Sequence, residues 1–99
     1  MSVGDERFSI ELTREAEREI KAIPATEARM ILQEIQARLS TDPFKQSKTR
    51  IKRLVGFTPP LYRLRVGDYR TYYRILIHQV VILTVLHKNA SERWLKRRG

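Results

Sequence analysis

YRLRVGDYRTYYR, residues 62–74, is the stretch on which the fold turns. Two runs of alternating character flank Gly67-Asp68, a pair suited to a two-residue hairpin turn. That turn pairs Val66 with Tyr69, Arg65 with Arg70, Leu64 with Thr71, Arg63 with Tyr72 and Tyr62 with Tyr73. Because side chains alternate along a strand, the register assigns every residue to a face. Tyr62, Leu64, Val66, Tyr69, Thr71, Tyr73 and Ile75 share one face, fit to pack under helices. Arg63, Arg65, Arg70, Tyr72 and Arg74 share the other. Like charges placed opposite one another cost on the order of 0.2–1 kcal/mol per pair. A chain selected for stability alone would set a glutamate there. Phosphates supply the missing negative charge most directly, since an arginine fork binds two of their oxygens at once.

Working outward, Phe8, Ile10 and Leu12 alternate with polar residues and predict a short strand. Thr13 offers an N-cap, Glu15, Glu17 and Glu19 crowd the early turns, and Ala16, Ile20 and Ile23 form one helical face before Pro24 ends it. The glutamates read as a solvated face. Thr26 is placed to cap a second helix whose buried stripe is Ile31, Ile35 and Leu39, stopped by Ser40 to Pro43. Phe44 to Pro60 reads as a basic, partly irregular linker carrying Lys45, Lys48, Arg50, Lys52 and Arg53. Strands follow at 61–66, 69–76 and 80–87, the last nearly all β-branched or leucine and therefore expected to be central. Residues 90–97, with Trp94, predict a terminal helical turn. The order βααβββ defines an α+β domain, an αα-hairpin packed on a mainly antiparallel sheet.

The 99 residues are expected to form one domain. There is no cysteine, and the two histidines, His78 and His87, are too few for a histidine metal cluster, so no metal or other cofactor is expected. Met1 to Phe8 lacks the apolar core of a signal peptide, and Ile75 to Leu86 falls short of the ~20 residues of a membrane span. A cytoplasmic protein without membrane contact is the expectation. The net charge of +9 is unevenly spread: residues 1–42 carry nine acids against six bases, and residues 43–99 two acids, Asp68 and Glu92, against fourteen bases. A net +12 in one half predicts a polyanionic partner.

The hairpin, the β-branched strand after it and the HKNASERW segment that follows together resemble the RelE/ParE superfamily of bacterial toxins. Motif similarity covers about residues 50–94. The resemblance implies the compact RelE-like fold, related to microbial ribonucleases. It also implies the toxin role in a type II toxin–antitoxin system: metal-independent cleavage of mRNA in the ribosomal A site. In that reaction a ribose 2′-hydroxyl attacks the adjacent phosphate, leaving a 2′,3′-cyclic phosphate and a free 5′-hydroxyl. Carried over by position, Arg63 and Arg65 match the two basic strand residues, Arg70 the arginine after the turn, Lys88 the basic residue after the last strand, and His87 a position where many relatives hold histidine. The implied partners are mRNA, the ribosome and a cognate antitoxin with an acidic or amphipathic segment.

Four positions depart from the family pattern. Lys88 stands where RelE relatives carry arginine, Trp94 where they carry tyrosine, and Arg63 and Arg65 where they carry lysine, which implies weakened or rearranged proton transfer. Arginines cannot act as bases at neutral pH, which leaves His87 as the first candidate base and Lys88 as the second. Lys52, Arg53, Tyr72, Arg74 and Trp94 complete the expected RNA-binding set. Each aromatic also has a plain structural use: Trp94 can pin the tail to the sheet, Tyr72 can cover its neighbours, and His87 at a strand end can bond to backbone. A ParE-like gyrase inhibitor without nuclease activity is the alternative function, and a weakened member kept as a binding module a third.

Overall fold

The structure, a computed structural model, describes residues 7–98. The acidic pair Asp5 and Glu6 and the rest of the opening segment lie outside the described residues. In chain order the elements are β1 (Ser9–Leu12), α1 (Arg14–Ala22), α2 (Ala25–Glu34) ending in a π-helical turn (Ile35–Leu39), β2 (Ile51–Leu54), β3 (Leu61–Val66), β4 (Tyr69–Leu76), β5 (Gln79–His87) and α3 (Lys88–Arg98). The five strands form one sheet in the order β1-β5-β4-β3-β2. β1 runs parallel to β5 and every other pairing is antiparallel. The fold is α+β, an αα-hairpin packed on a mainly antiparallel sheet with a C-terminal helix, as the order of elements implies.

Thr13 caps α1, its Oγ1 accepting the Ala16 N–H at 3.1 Å, a contact worth about 1 kcal/mol. Ala16 and Ile20 turn inward and meet Ile31, Ile35 and Leu39 of α2 and its π-turn, over Tyr62, Leu64, Val66, Tyr73, Val80, Ile82 and Val85 of the sheet. This is the larger core. Tyr73 lies at its floor, fully buried, with its hydroxyl donating to the Pro43 carbonyl at 2.8 Å. Burial, with smaller contributions from the Tyr62 and Asp42 charges, pushes the Tyr73 phenol pKa well up.

Three details differ from the sequence expectation. α2 starts at Ala25 behind Pro24, without a Thr26 cap, because the fixed proline φ already aims the chain and the Pro24 carbonyl accepts the first helical bond from Ala28. The basic linker contains β2, whose Ile51 joins the large core and whose Leu54 is partly buried once the strand pairs with Leu64 and Leu61 of β3, a gain no local pattern advertises. β4, not β5, takes the centre of the sheet, because β1 alone lies outside β5 while β3 and β2 lie outside β4.

Candidate nucleic-acid interface

The hairpin register is the one the turn dictates, from Val66↔Tyr69 to Tyr62↔Tyr73. Gly67 adopts φ +58, so the left-handed turn position falls on the residue without a Cβ. The face turned away from the large core therefore carries rows of side chains across the sheet. One row joins Lys52, Arg63 and Tyr72; the next joins Arg65, Arg70 and Leu86; Arg74 stands beyond Tyr72 on β4.

Among the described residues, none of Arg63, Arg65, Arg70 or Arg74 has a carboxylate within ion-pair distance. Arg70 is only 9% exposed and donates through one terminal nitrogen to the carbonyls of Gly67 and Tyr69, both at 3.0 Å. Its pKa is lowered by burial first and then by the adjacent Arg65 and Arg63 charges, which places the three guanidinium groups in one electrostatic neighbourhood. The Nε atoms of Arg63 and Arg74 are buried and without a partner. Among the described residues Asp68 is the one carboxylate whose charge acts on Arg70, so an anion bound here would meet charges that are only partly neutralised.

Four expected site residues lie elsewhere or serve otherwise. Arg53 pairs with Tyr62, not with an arginine, so strand alternation turns it to the opposite face from Lys52. Tyr72 and Trp94 stack on each other, centroids 4.9 Å apart and planes 20° from parallel. Both are buried, and the Arg98 guanidinium covers the indole at 4.7 Å. With Leu61 they form a second, smaller core beneath α3, packed by Leu54, Phe57, Leu83, Leu86 and Leu95. Their faces are occupied by packing and are not open to a base.

His87 is the fourth. The β4–β5 ladder pairs Tyr73 with Ile82 but Tyr72 with Thr84, so Leu83 is an extra residue, a β-bulge. The bulge shifts alternation beyond it and pairs His87 with Tyr69, whose ring it meets edge-on at 5.6 Å, on the side away from the arginines. His87 Nδ1 accepts the Asn89 N–H at 3.1 Å, capping α3. Tyr69 in turn has its phenol pKa raised, by burial first and then by Glu27. Lys88, by contrast, stays with the arginine side: its backbone N–H donates to the Asp68 carbonyl at 2.7 Å and its Nζ lies 3.5 Å from Asp68 Oδ1.

Sequence reasoning missed what holds the bulge. Glu19, expected in solvent, accepts from the Thr84 hydroxyl at 2.7 and 2.8 Å and from the Val85 N–H at 2.9 Å, while the Thr13 hydroxyl donates to the Leu83 carbonyl at 2.9 Å. β1 ends at Leu12, opposite Ile82, so α1 side chains satisfy the β5 edge where a strand no longer can. The available signal was position: Glu19 follows Ala16 by three, on the inward side of the helix.

Among the described residues no group of three or more His, Cys, Asp or Glu is placed to hold a metal ion, and no helix is long and apolar enough to cross a membrane.

Residues 10–91 match the family model of the ParE toxin of type II toxin–antitoxin systems, parDE. No curated protein matches. Among solved structures, the chain is similar to the archaeal RelE–RelB complex of Pyrococcus horikoshii OT3, with a TM-score of 0.68 and 23% identity over 82% of this chain and 94% of that one. It is similar as well to the RelBE2 toxin–antitoxin complex of Mycobacterium tuberculosis, with a TM-score of 0.67 and 25% identity over 82% and 91%. A mutant of the E. coli toxin RelE in the free state, with two arginines replaced by alanine, aligns at a TM-score of 0.60 and 17% identity, over 92% and 97%. With the family model spanning most of its length and the RelE-like sheet beneath the match, the chain belongs to the ParE toxin family of type II toxin–antitoxin systems, within the RelE/ParE superfamily.

Proposed function

We propose that this toxin is a metal-independent endoribonuclease that cleaves mRNA at the ribosome in the cytoplasm. The observation that carries the reading is the convergence of Arg63, Arg65 and Arg70 on one sheet face, free of carboxylate partners, beside Lys88. Attack of a 2′-hydroxyl on the neighbouring phosphate concentrates negative charge on the phosphorane oxygens. Guanidinium groups already held in place stabilise that charge without reorganising. The excess of cations over the one nearby carboxylate, Asp68, favours the bound anion. Lys52 and Arg74 extend the same surface along the RNA backbone.

A cognate antitoxin is the proposed protein partner, in keeping with the toxin–antitoxin complexes of the similar chains. Its acidic or amphipathic segment would neutralise the basic half of this molecule.

Primer-extension mapping of translated messages after induction tests the reading. New 5′ ends are expected with the native chain and not with Arg65→Ala or Arg70→Ala. Their absence with the native chain rejects it. The matching family model favours one other reading, inhibition of DNA gyrase without nuclease activity. Loss of supercoiling activity in a purified gyrase assay, with intact mRNA in the cell, would establish that alternative.

A further inference from the structure

We propose that Asp68 is the general base of this site and Lys88 its paired acid. The proposal rests on the ribonuclease reading and supplies the one capacity the arginines lack, acceptance of a proton.

Position comes first. The bond from the Lys88 N–H to the Asp68 carbonyl continues the β4–β5 ladder by one rung beyond Arg70↔Leu86. Asp68 is the second turn residue at the hairpin tip, beside the arginine row, where its charge acts on Arg70. Its side chain is 63% exposed, open to a substrate, and its Oδ1 is 3.5 Å from Lys88 Nζ.

Elimination comes second. Guanidinium groups stay charged and donate only. His87 is turned to the Tyr69 side with Nδ1 engaged by Asn89, so its neutral ring carries its proton on the other nitrogen. Tyr72 and Trp94 are buried in each other. A carboxylate at the mouth of a phosphate site also weakens binding by repulsion. Asn serves the turn as well as Asp, so beyond the turn the carboxylate is accounted for by a chemical use or by a plain ion pair with Lys88, and these two predict opposite effects of its removal.

The step balances without any further reactant. The entering phosphate displaces the exposed Asp68–Lys88 contact, so that the two groups flank it at O2′ and O5′, and the contact re-forms when the products leave. Asp68 takes the proton of the 2′-hydroxyl as O2′ bonds to phosphorus. The P–O5′ bond breaks, its electron pair stays on O5′, and O5′ takes a proton from the Lys88 ammonium. The products are a 2′,3′-cyclic phosphate and a 5′-hydroxyl. Neutral Asp68 and neutral Lys88 then exchange one proton across their contact and restore the starting charges.

The experiment compares the full-length chain with Asp68→Asn and Asp68→Glu. Single-turnover cleavage is measured on purified ribosomes carrying a defined mRNA. Binding is measured by fluorescence anisotropy with the same message fragment carrying a 2′-deoxy sugar at the cleavage position. Asn is at home in turns, and thermal melts verify folding. Asp68→Asn is expected to slow cleavage at least about 100-fold while binding the deoxy fragment more tightly, and Asp68→Glu to stay within about tenfold of the native rate. Native-like or faster cleavage by Asp68→Asn, with tighter binding, identifies a mere counter-ion and overturns this proposal alone. No cleavage by the native chain overturns it together with the ribonuclease reading.

Discussion

The two faces of the β3–β4 hairpin are built from alternate residues of the same strands and follow opposite rules. On the side of α1 and α2, Leu64 and Tyr73 are fully buried and the Tyr73 hydroxyl has its partner. On the other side Arg65 stands opposite Arg70, and two buried Nε atoms have no partner. The first face minimises free energy in the monomer. The second holds more positive charge than the described carboxylates near it, Asp68 above all, can offset, a pattern expected where further compensating groups belong to something else. α3 divides this second face further, sealing the Tyr72 end with Trp94 and leaving the Arg65 and Asp68 end open.

Neighbouring positions on the two faces give the sharpest way to break the contrast. Leu64→Ala should lower stability by about 2–5 kcal/mol in chemical denaturation, with cleavage per folded molecule unchanged. Arg65→Glu, one residue along, should act in reverse. It creates an opposite-charge pair with Arg70 and should raise stability by about 0.2–1 kcal/mol, while cleavage falls about 100-fold or more. If Arg65→Glu destabilises the fold instead, the arginine face is a structural surface and the contrast fails.

Smaller effects refine it. Tyr73→Phe removes one buried hydrogen bond and should cost about 1 kcal/mol at neutral pH. Because folding raises the Tyr73 pKa, the stabilisation is complete below the unfolded value and is lost as pH rises through the folded one. Denaturation midpoints of the native chain should therefore fall above about pH 10, and less steeply in Tyr73→Phe. The smallest effect is expected of His87→Asn. Asparagine also accepts the Asn89 N–H and caps α3, so single-turnover cleavage should stay within about threefold. A general base replaced by an amide would lose about 100-fold or more, which would return His87 to the site.

The hairpin and its faces were legible in the chain because a two-residue turn with glycine in first place leaves one register, and register dictates alternation. The αα-hairpin was equally plain from Ala16, Ile20, Ile31, Ile35 and Leu39. β2 was not, since Ile51 to Leu54 is an ordinary basic segment until β3 lies beside it. His87, named from the resemblance, faces Tyr69 for a related reason: Leu83 is an extra residue in β5, at an edge bonded by Glu19 and Thr13 from far away in the chain, and no count along β5 reveals it.

Sequence alone thus determined everything that depends on local periodicity and on the turn: the helices, the hairpin, and the gathering of Arg63, Arg65 and Arg70 on one side. Tertiary structure decided where each neighbour of that cluster points. The bulge sends His87 away, stacking with Tyr72 closes Trp94 inside the second core, and the last rung of the ladder brings Asp68 to Lys88. The physical reason is range. Alternation and capping act between residues a few positions apart, whereas bulges, stacks and ladder ends are settled by groups up to 70 positions away in the chain, as when the Thr13 hydroxyl holds the Leu83 carbonyl.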